Sequence, residues 1–144
     1  MRAYRYLLDS NVLSETQKLA PNPYLMRRLG QNRSACVTAS VVAYELQFGV
    51  ACLPEGERKR QLAVFYAQLF MPVAGIAVLS YGAKAAHWRA EQDAKLRHSG
   101  LPRPLHEAQI AAVAASQNLT LITRNLRDFE PYEGLRLENW FEVN

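Results

Sequence analysis

Three acidic side chains stand alone in apolar stretches of this sequence, where a carboxylate needs a particular partner. Each acid is the only fully charged residue of its stretch: Asp9 in residues 6–14, Glu45 in residues 34–54 and Glu107 in residues 104–123. Burying an ionised carboxylate without a partner is costly, so such a group is protonated, paired with a cation or bound to a metal. The three acids are therefore candidate metal ligands.

A shared site for these acids would favour a hard divalent cation. Carboxylates gathered in one place repel one another unless a cation neutralises them. Oxygen ligands are typical of Mg²⁺ and Mn²⁺, whereas zinc sites usually draw on cysteine and histidine. The sequence has no Cys-x-x-Cys pattern and no closely spaced histidine pair. We therefore expect Mg²⁺ or Mn²⁺ rather than zinc.

Each acid also has an ordinary structural explanation. Asp9 could cap the helix that follows the first predicted strand. Glu45 could pair with an arginine or face solvent on the polar side of its helix, and Glu107 in a first helical turn would interact favourably with the helix dipole. The combination of three such acids, rather than any one of them, favours the metal site.

Apolar runs and helical patterns alternate along the chain. Short apolar runs predict strands at residues 4–8, 35–38, 76–79, 119–123 and 135–138. Helical spacing and end signals predict helices at residues 12–16, 23–28, 41–53, 54–70, 81–99, 105–117 and 126–129, with Asn22, Ser40 and Ser80 as N-caps. This alternation predicts one α/β domain over residues 1–144, with a mostly parallel sheet covered by helices on both sides.

Two of the polar segments follow predicted strands. Asp9 comes directly after the first strand, and residues 123–125 lie at the end of the fourth. Ligands of such sheets gather at the carboxyl ends of the strands, so we expect the functional site there.

Composition and charge narrow the class of protein. Hydrophobic residues make up 49% of the chain and charged residues 21%, which is typical of a folded domain rather than a disordered one. The net charge of +4 and the pI near 9.3 favour a polyanionic partner such as nucleic acid. No run approaches the roughly 20 apolar residues of a membrane span, and we expect no membrane association and a cytoplasmic location. Cys36 and Cys52 lie in apolar surroundings, which predicts buried, reduced thiols.

Four segments resemble, in order, the motifs of PIN domains of the VapC toxin family. They are residues 7–15, reading Leu-Leu-Asp-Ser-Asn-Val-Leu-Ser-Glu, residues 38–46 with Gly49, residues 100–112, and residues 123–129, reading Thr-Arg-Asn-Leu-Arg-Asp-Phe. The resemblance implies a PIN-like three-layer α/β/α fold with a short, mostly parallel central sheet. It identifies Asp9, Glu45 and Glu107 as metal ligands and catalytic residues.

The resemblance also implies a function and partners. It implies a Mg²⁺- or Mn²⁺-dependent endoribonuclease toxin that forms a homodimer, is inhibited by a cognate antitoxin and cleaves a structured RNA such as tRNA. The bound ion would activate water and brace the phosphate for in-line attack.

Further residues would support this chemistry. The hydroxyl of Ser40 or Thr123 could orient the water, and Asn11 and Asn125 would be outer ligands or anchors. Asp128 could contribute a further carboxylate. Arg103 and Arg124 would hold the RNA backbone.

The sequence departs from the family pattern at two positions. Glu107 stands where the family usually has aspartate, and its extra methylene matters for an ion that prefers regular octahedral geometry. Asn125 stands where the family often has aspartate, which removes one negative charge. Glu107 could therefore alter the activity or the choice of metal, whereas asparagine at the position of Asn125 is also common among VapC proteins.

Three other functions remain open from the sequence. A receiver-like signalling domain would require an acidic pair after the first strand, and Ser10 and Asn11 do not supply one. A catalytically weak or inactive PIN-fold domain that binds RNA or protein is compatible with Glu107. A metal-free ribonuclease would require paired histidines, whereas His87, His98 and His106 are scattered.

Overall fold

A parallel sheet forms the centre of the fold in the computed structural model, which describes residues 3–73, 75–100 and 104–143. Within these residues the strands are β1 (Tyr6–Leu8), β2 (Cys36–Ala39), β3 (Ala77–Leu79), β4 (Thr120–Ile122) and β5 (Leu137–Glu138). They are ordered β3-β2-β1-β4-β5, and each neighbouring pair is parallel. The predicted mostly parallel sheet is confirmed.

Helices connect the strands and flank the sheet, as the predicted architecture requires. They are α1 (Ser10–Glu15), α2 (Pro23–Asn32), α3 (Ser40–Ala51), α4 (Glu57–Leu69), α5 (Ala83–Arg97), α6 (Leu105–Ser116) and α7 (Leu126–Phe129). A short 3₁₀ turn, Arg33–Ala35, leads into β2. The predicted strands and helices all occur, with ends displaced by a few residues.

One of the three predicted helix caps is confirmed. The side chain of Asn22 accepts a hydrogen bond from the Leu25 backbone N–H at 3.0 Å, and Pro23 occupies the start of α2. Proline suits this position because its missing N–H would have no partner in the helix. Neighbouring residues alone were therefore enough to predict where α2 begins.

The other two predicted caps are wrong. Ser40 is the first residue of α3, and the extended Ala39 holds the cap position because β2 passes into the helix without a turn. Helix α5 begins at Ala83 after Gly82, so Ser80 lies outside it. In both places the backbone leaving the strand puts another residue at the N-cap position, so the serine does not cap the helix.

Buried apolar residues surround the sheet. Leu7 of β1, Val37 of β2 and Leu121 of β4 are fully buried, as continuous apolar strands require when both faces of a sheet are covered. Trp140 is also fully buried; its ring packs edge-on against Tyr6 at 4.8 Å, and its Nε1 donates to Glu138 Oε1 at 2.9 Å. These contacts attach the segment after β5 to the first strand.

The order of the strands explains where a site can form. From β1 the chain adds β2 and β3 on one side, and then β4 and β5 on the other side of β1. Parallel sheets open a crevice at such a reversal, outside the carboxyl ends of the strands. Leu8 is paired with Ile122, and the Asp9 N–H donates to the Ile122 carbonyl at 3.0 Å. Asp9 therefore lies at the mouth of this crevice.

The two cysteines differ in environment. Cys36 is buried in β2, and its burial raises the thiol pKa to about 11. Cys52 is exposed just beyond α3, so the prediction that both thiols are buried is wrong for Cys52. Apolar sequence neighbours do not ensure burial at the end of a helix, because the last turn can face solvent.

Candidate functional site

A pocket of about 420 Å³ lies at the crevice between β1 and β4. It is lined by Asp9, Ser10, Asn11, Ser14, Glu45, Leu46, Glu107, Ile110, Asn125, Asp128 and Phe129. Four of these lining side chains are carboxylates. Among the described residues, no lysine or arginine lines the pocket. The three acids singled out in the sequence thus line one pocket, together with Asp128.

Asp9 is the most firmly held of the four acids. It lies at the N-cap of α1 with only 5% of its surface exposed. Its Oδ1 accepts from the Ser10 N–H at 2.8 Å, and its Oδ2 accepts from Thr123 Oγ1 at 2.8 Å and from Asn11 Nδ2 at 3.2 Å. The capping explanation of Asp9 is therefore confirmed, and the same side chain also lines the pocket.

Asn11 and Thr123 join the loop after β4 to helix α1. Asn11 Nδ2 also lies 3.2 Å from Thr123 Oγ1, and Asn11 Oδ1 accepts from the Arg124 N–H at 3.1 Å. The Asn125 N–H donates to Thr123 Oγ1 at 3.1 Å. Because the Thr123 hydroxyl donates its hydrogen bond to Asp9, it orients this carboxylate rather than a water molecule.

Glu45 and Glu107 are held by two helices. Glu45 is half-buried in α3, and its Oε1 is buried without a hydrogen-bond partner among the described residues. Glu45 forms no salt bridge with an arginine or lysine in that part of the chain. Glu107 is half-buried in the first turn of α6, where the helix dipole favours an acid. Among the described residues, no arginine or lysine supports the pairing explanation for Glu45.

The acids raise one another's affinity for protons. Burial raises the pKa of Asp9, with hydrogen bonds from Thr123 and Ser10 opposing this, and the charges of Glu107 and Asp128 raise it further. Burial also raises the pKa of Glu45, as do the charges of Asp9 and Glu107, whereas His106 lowers it. The pocket is thus a region of negative potential that favours a cation.

The donor set suits a hard divalent ion. Among the described residues, all four charged donors are carboxylates, no cationic side chain of the lining neutralises them, and a buried Glu45 oxygen has no hydrogen-bond partner. Across residues 3–73, 75–100 and 104–143, no three His, Cys, Asp or Glu side chains form a complete metal-binding group. Carboxylates that repel one another are expected to stand apart until a cation neutralises them.

The remaining predicted residues differ in position. Asn11, Asn125 and Asp128 line the pocket, whereas Ser40 does not. The Arg124 guanidinium lies over the Phe141 ring at 4.6 Å and is also outside the lining. Arg103 lies outside the described residues.

Two groups near the site were not found from the sequence. Ser10 and Ser14 both line the pocket, and their four-residue spacing, which places them on one face of α1, was the available signal. His106 acts electrostatically on Glu45, although it seemed isolated among the histidines. Its position directly before Glu107 was the only indication.

The family model of the PIN domain matches residues 6–134. This chain belongs to the PIN-domain family. PIN-domain nucleases are generally dependent on divalent metals, which agrees with an acidic, oxygen-rich pocket.

Relatives extend over nearly the whole PIN-domain chain. The plasmid stability protein StbB of Pseudomonas syringae pv. tomato is 32% identical, over 95% of this chain and 99% of its own. The tRNA(fMet)-specific endonuclease VapC of Salmonella typhimurium is 31% identical, over 94% of this chain and 98% of its own. The crystal structure of DNA-bound VapBC from Salmonella typhimurium superposes with a TM-score of 0.78 and 27% identity, covering 95% of this chain and 98% of that one. The resemblance to VapC proteins is confirmed.

Proposed function

We propose that this chain is a divalent-metal-dependent endoribonuclease and the toxin of a toxin–antitoxin pair, built as one PIN domain over residues 1–144. The observation that carries the proposal is the convergence of Asp9, Glu45 and Glu107 on one pocket without a basic lining residue. These acids come from the end of β1 and from helices α3 and α6. Relatives that are named ribonucleases or endonucleases support the same activity.

Asp9, Glu45 and Glu107 would hold Mg²⁺ or Mn²⁺. When bound, such an ion supplies the Lewis acidity that activates water and stabilises charge on a phosphate. Glu45 offers an oxygen that accepts no competing hydrogen bond from the part of the chain that the structure describes, and Glu107 reaches one methylene further than aspartate would. Its longer side chain has more conformations to restrict on binding, so we expect it to influence metal preference.

The protein contributes orientation. Thr123 and Asn11 hold one oxygen of Asp9 and the Ser10 N–H holds the other, so this carboxylate keeps one position. Asn125 and Asp128 also line the pocket and can bind outer water molecules or the substrate. A rigid Asp9 beside the less restrained Glu45 and Glu107 would let these acids close on the ion.

The substrate would be RNA. The net charge of +4 favours a polyanion, and Arg103 and Arg124 would contact its backbone. A tRNA is a candidate because a VapC relative is named as specific for tRNA(fMet). Binding should then weaken as the salt concentration rises.

The partners would be a cognate antitoxin and a second copy of the chain. Solved relatives are complexes named VapBC, and we propose that an antitoxin covers the acidic pocket here. In the described part of the chain, no helix is long and apolar enough to cross a bilayer. We propose that the protein acts in the cytoplasm, where RNA is available.

The test is cleavage of total cellular RNA by the purified protein with Mg²⁺, with Mn²⁺ or with EDTA. We expect new RNA fragments with either ion and none with EDTA. Restoring the ion after chelation should restore cleavage. Fragments that persist in EDTA would contradict the metal-dependent mechanism.

A catalytically weak or inactive PIN domain that binds RNA or protein is the alternative. It is favoured by Glu107 in place of aspartate and by the lack of a complete three-ligand group among the described residues. It predicts that the protein binds RNA but leaves it intact with Mg²⁺ and with Mn²⁺. The cleavage experiment would show this as the absence of new fragments.

Thr123→Val should lower cleavage about 10- to 100-fold, the usual cost of losing a group that orients a metal ligand. Valine keeps the shape of this fully buried residue but leaves Asp9 Oδ2 without its 2.8 Å hydrogen bond. Thr123→Ser, which keeps the hydroxyl, should retain most of the rate. Initial rates at several Mg²⁺ concentrations would show the loss as a higher Mg²⁺ concentration needed for half-maximal cleavage.

Thr120→Val is the matched control. Thr120 is also buried, but it lies within β4. Its hydroxyl accepts a hydrogen bond from Arg136 and forms none with Asp9. Equal rates for the Thr123→Val and Thr120→Val variants would show that the hydroxyl does not position Asp9.

A further inference from the structure

Two aromatic rings are exposed on α3 beside the pocket. Tyr44 and Phe48 have 52% and 56% of their surfaces exposed, and their rings stack with centroids 5.8 Å apart and planes 18° apart. His106 at the start of α6 packs edge-on against Tyr44, with centroids 5.6 Å apart. We call these three side chains the aromatic platform.

The platform is continuous with the candidate site. Tyr44 directly precedes Glu45, and His106 directly precedes Glu107. The contact between Tyr44 and His106 therefore joins the two helices that carry these acids, next to the pocket they line. A molecule whose phosphate reaches the acids would bring its adjoining parts against the rings.

The pocket itself is poorly suited to hold RNA by charge. Its lining has four carboxylates and no lysine or arginine among the described residues, so it repels phosphates. Affinity near the reacting phosphate must then come from a bound cation and from uncharged contacts. Ring faces supply such contacts, because every base can stack on an aromatic side chain.

We propose that the aromatic platform stacks an unpaired RNA base beside the phosphate to be cleaved. The proposal rests on the proposed ribonuclease function and adds a subsite to it. The platform accepts any base, since stacking needs only a planar face. It therefore selects single-stranded RNA over paired RNA and positions the strand, without reading its sequence.

The test is binding of RNA with and without bases. The probes are a fluorescein-labelled adenosine oligonucleotide of about 8 nucleotides and an abasic RNA of the same length. Anisotropy is measured with Ca²⁺ in place of Mg²⁺, and a gel verifies that the RNA stays intact. The variants are Tyr44→Leu and Phe48→Leu, which keep an apolar side chain but remove the ring.

Three controls accompany these variants. Tyr24→Leu removes an aromatic ring that is 43% exposed on α2 and is not part of the platform. Tyr44→Phe and Phe48→Tyr keep a ring and should bind as the unaltered protein does. Thermal unfolding and light scattering report on folding and on the mass of the assembly.

We expect each leucine variant to bind the adenosine oligonucleotide about fivefold or more weakly, and the abasic RNA as before. Equal weakening for both probes, or no weakening, would overturn the platform. A change in assembly mass for the leucine variants would also overturn it, because the rings would then contact a second copy of the chain.

The failure of the platform and the failure of the proposed function give different results. If the unaltered protein cleaves RNA with Mg²⁺ while the leucine variants bind normally, only the platform is wrong. If the unaltered protein neither binds nor cleaves RNA, the ribonuclease proposal is wrong and the platform with it.

Discussion

Replacing Asp9 with asparagine is expected to lower RNA cleavage on the order of a thousandfold, more than the loss of a group that only orients a ligand. The substitution keeps the size of the side chain but removes its charge. It also exchanges one oxygen for an amide that faces the donors Ser10 N–H or Thr123 Oγ1. The negative charge and one hydrogen-bond acceptor are lost together.

Initial cleavage rates at saturating Mg²⁺ would measure this effect, with circular dichroism to verify folding. Glu55→Gln is the control, since it makes the same change of charge at a side chain that is 87% exposed. We expect Glu55→Gln to cleave as the unaltered protein does. Undiminished cleavage by Asp9→Asn would contradict the assignment of Asp9 as a metal ligand.

Replacing Glu45 with glutamine is expected to abolish metal-dependent cleavage and yet stabilise the metal-free protein. Its Oε1 is buried without a partner among the described residues, and burial, together with the charges of Asp9 and Glu107, raises its pKa. Removing this charge should raise the free energy of unfolding by about 0.5–2 kcal/mol, the range common for a single stabilising substitution. Function and stability would thus be opposed at one residue.

Thermal unfolding with and without Mn²⁺ would separate the two effects. A ligand that binds only the folded state stabilises it, so Mn²⁺ should raise the melting temperature of the unaltered protein. In EDTA the Glu45→Gln variant should have a higher melting temperature than the unaltered protein. Adding Mn²⁺ should raise the melting temperature of the variant by less. Glu91→Gln, on the exposed face of α5, should match the unaltered protein in both conditions. A Mn²⁺ response equal in both proteins would show that Glu45 does not bind the ion.

Local sequence was enough to predict the types of the elements. The runs at β1, β2 and β4 are continuously apolar because both faces of the sheet are covered, and this pattern does not depend on distant residues. The single turn of α7 and the Asn22 cap of α2 also follow from neighbouring residues. Asp9 was expected at a strand end for the same reason.

Predictions about residues at the ends of helices and strands were less accurate than predictions of the elements themselves. The caps expected at Ser40 and Ser80 failed because the path between strand and helix set the start of α3 and α5. Cys52 is exposed although its neighbours are apolar. A side chain's type indicates what it can do, and its orientation is set by the packing of the whole element.

The convergence of the acids was decided by tertiary structure. The sequence shows three isolated carboxylates, but only the placement of β4 beside β1 brings Thr123 to Asp9, across 114 positions of the chain. The packing of α3 and α6 then turns Glu45 and Glu107 toward the same pocket and sets Tyr44 against His106. Apolar patterns act over neighbouring residues and so determine the elements, whereas a site made from distant residues depends on strand order and helix packing.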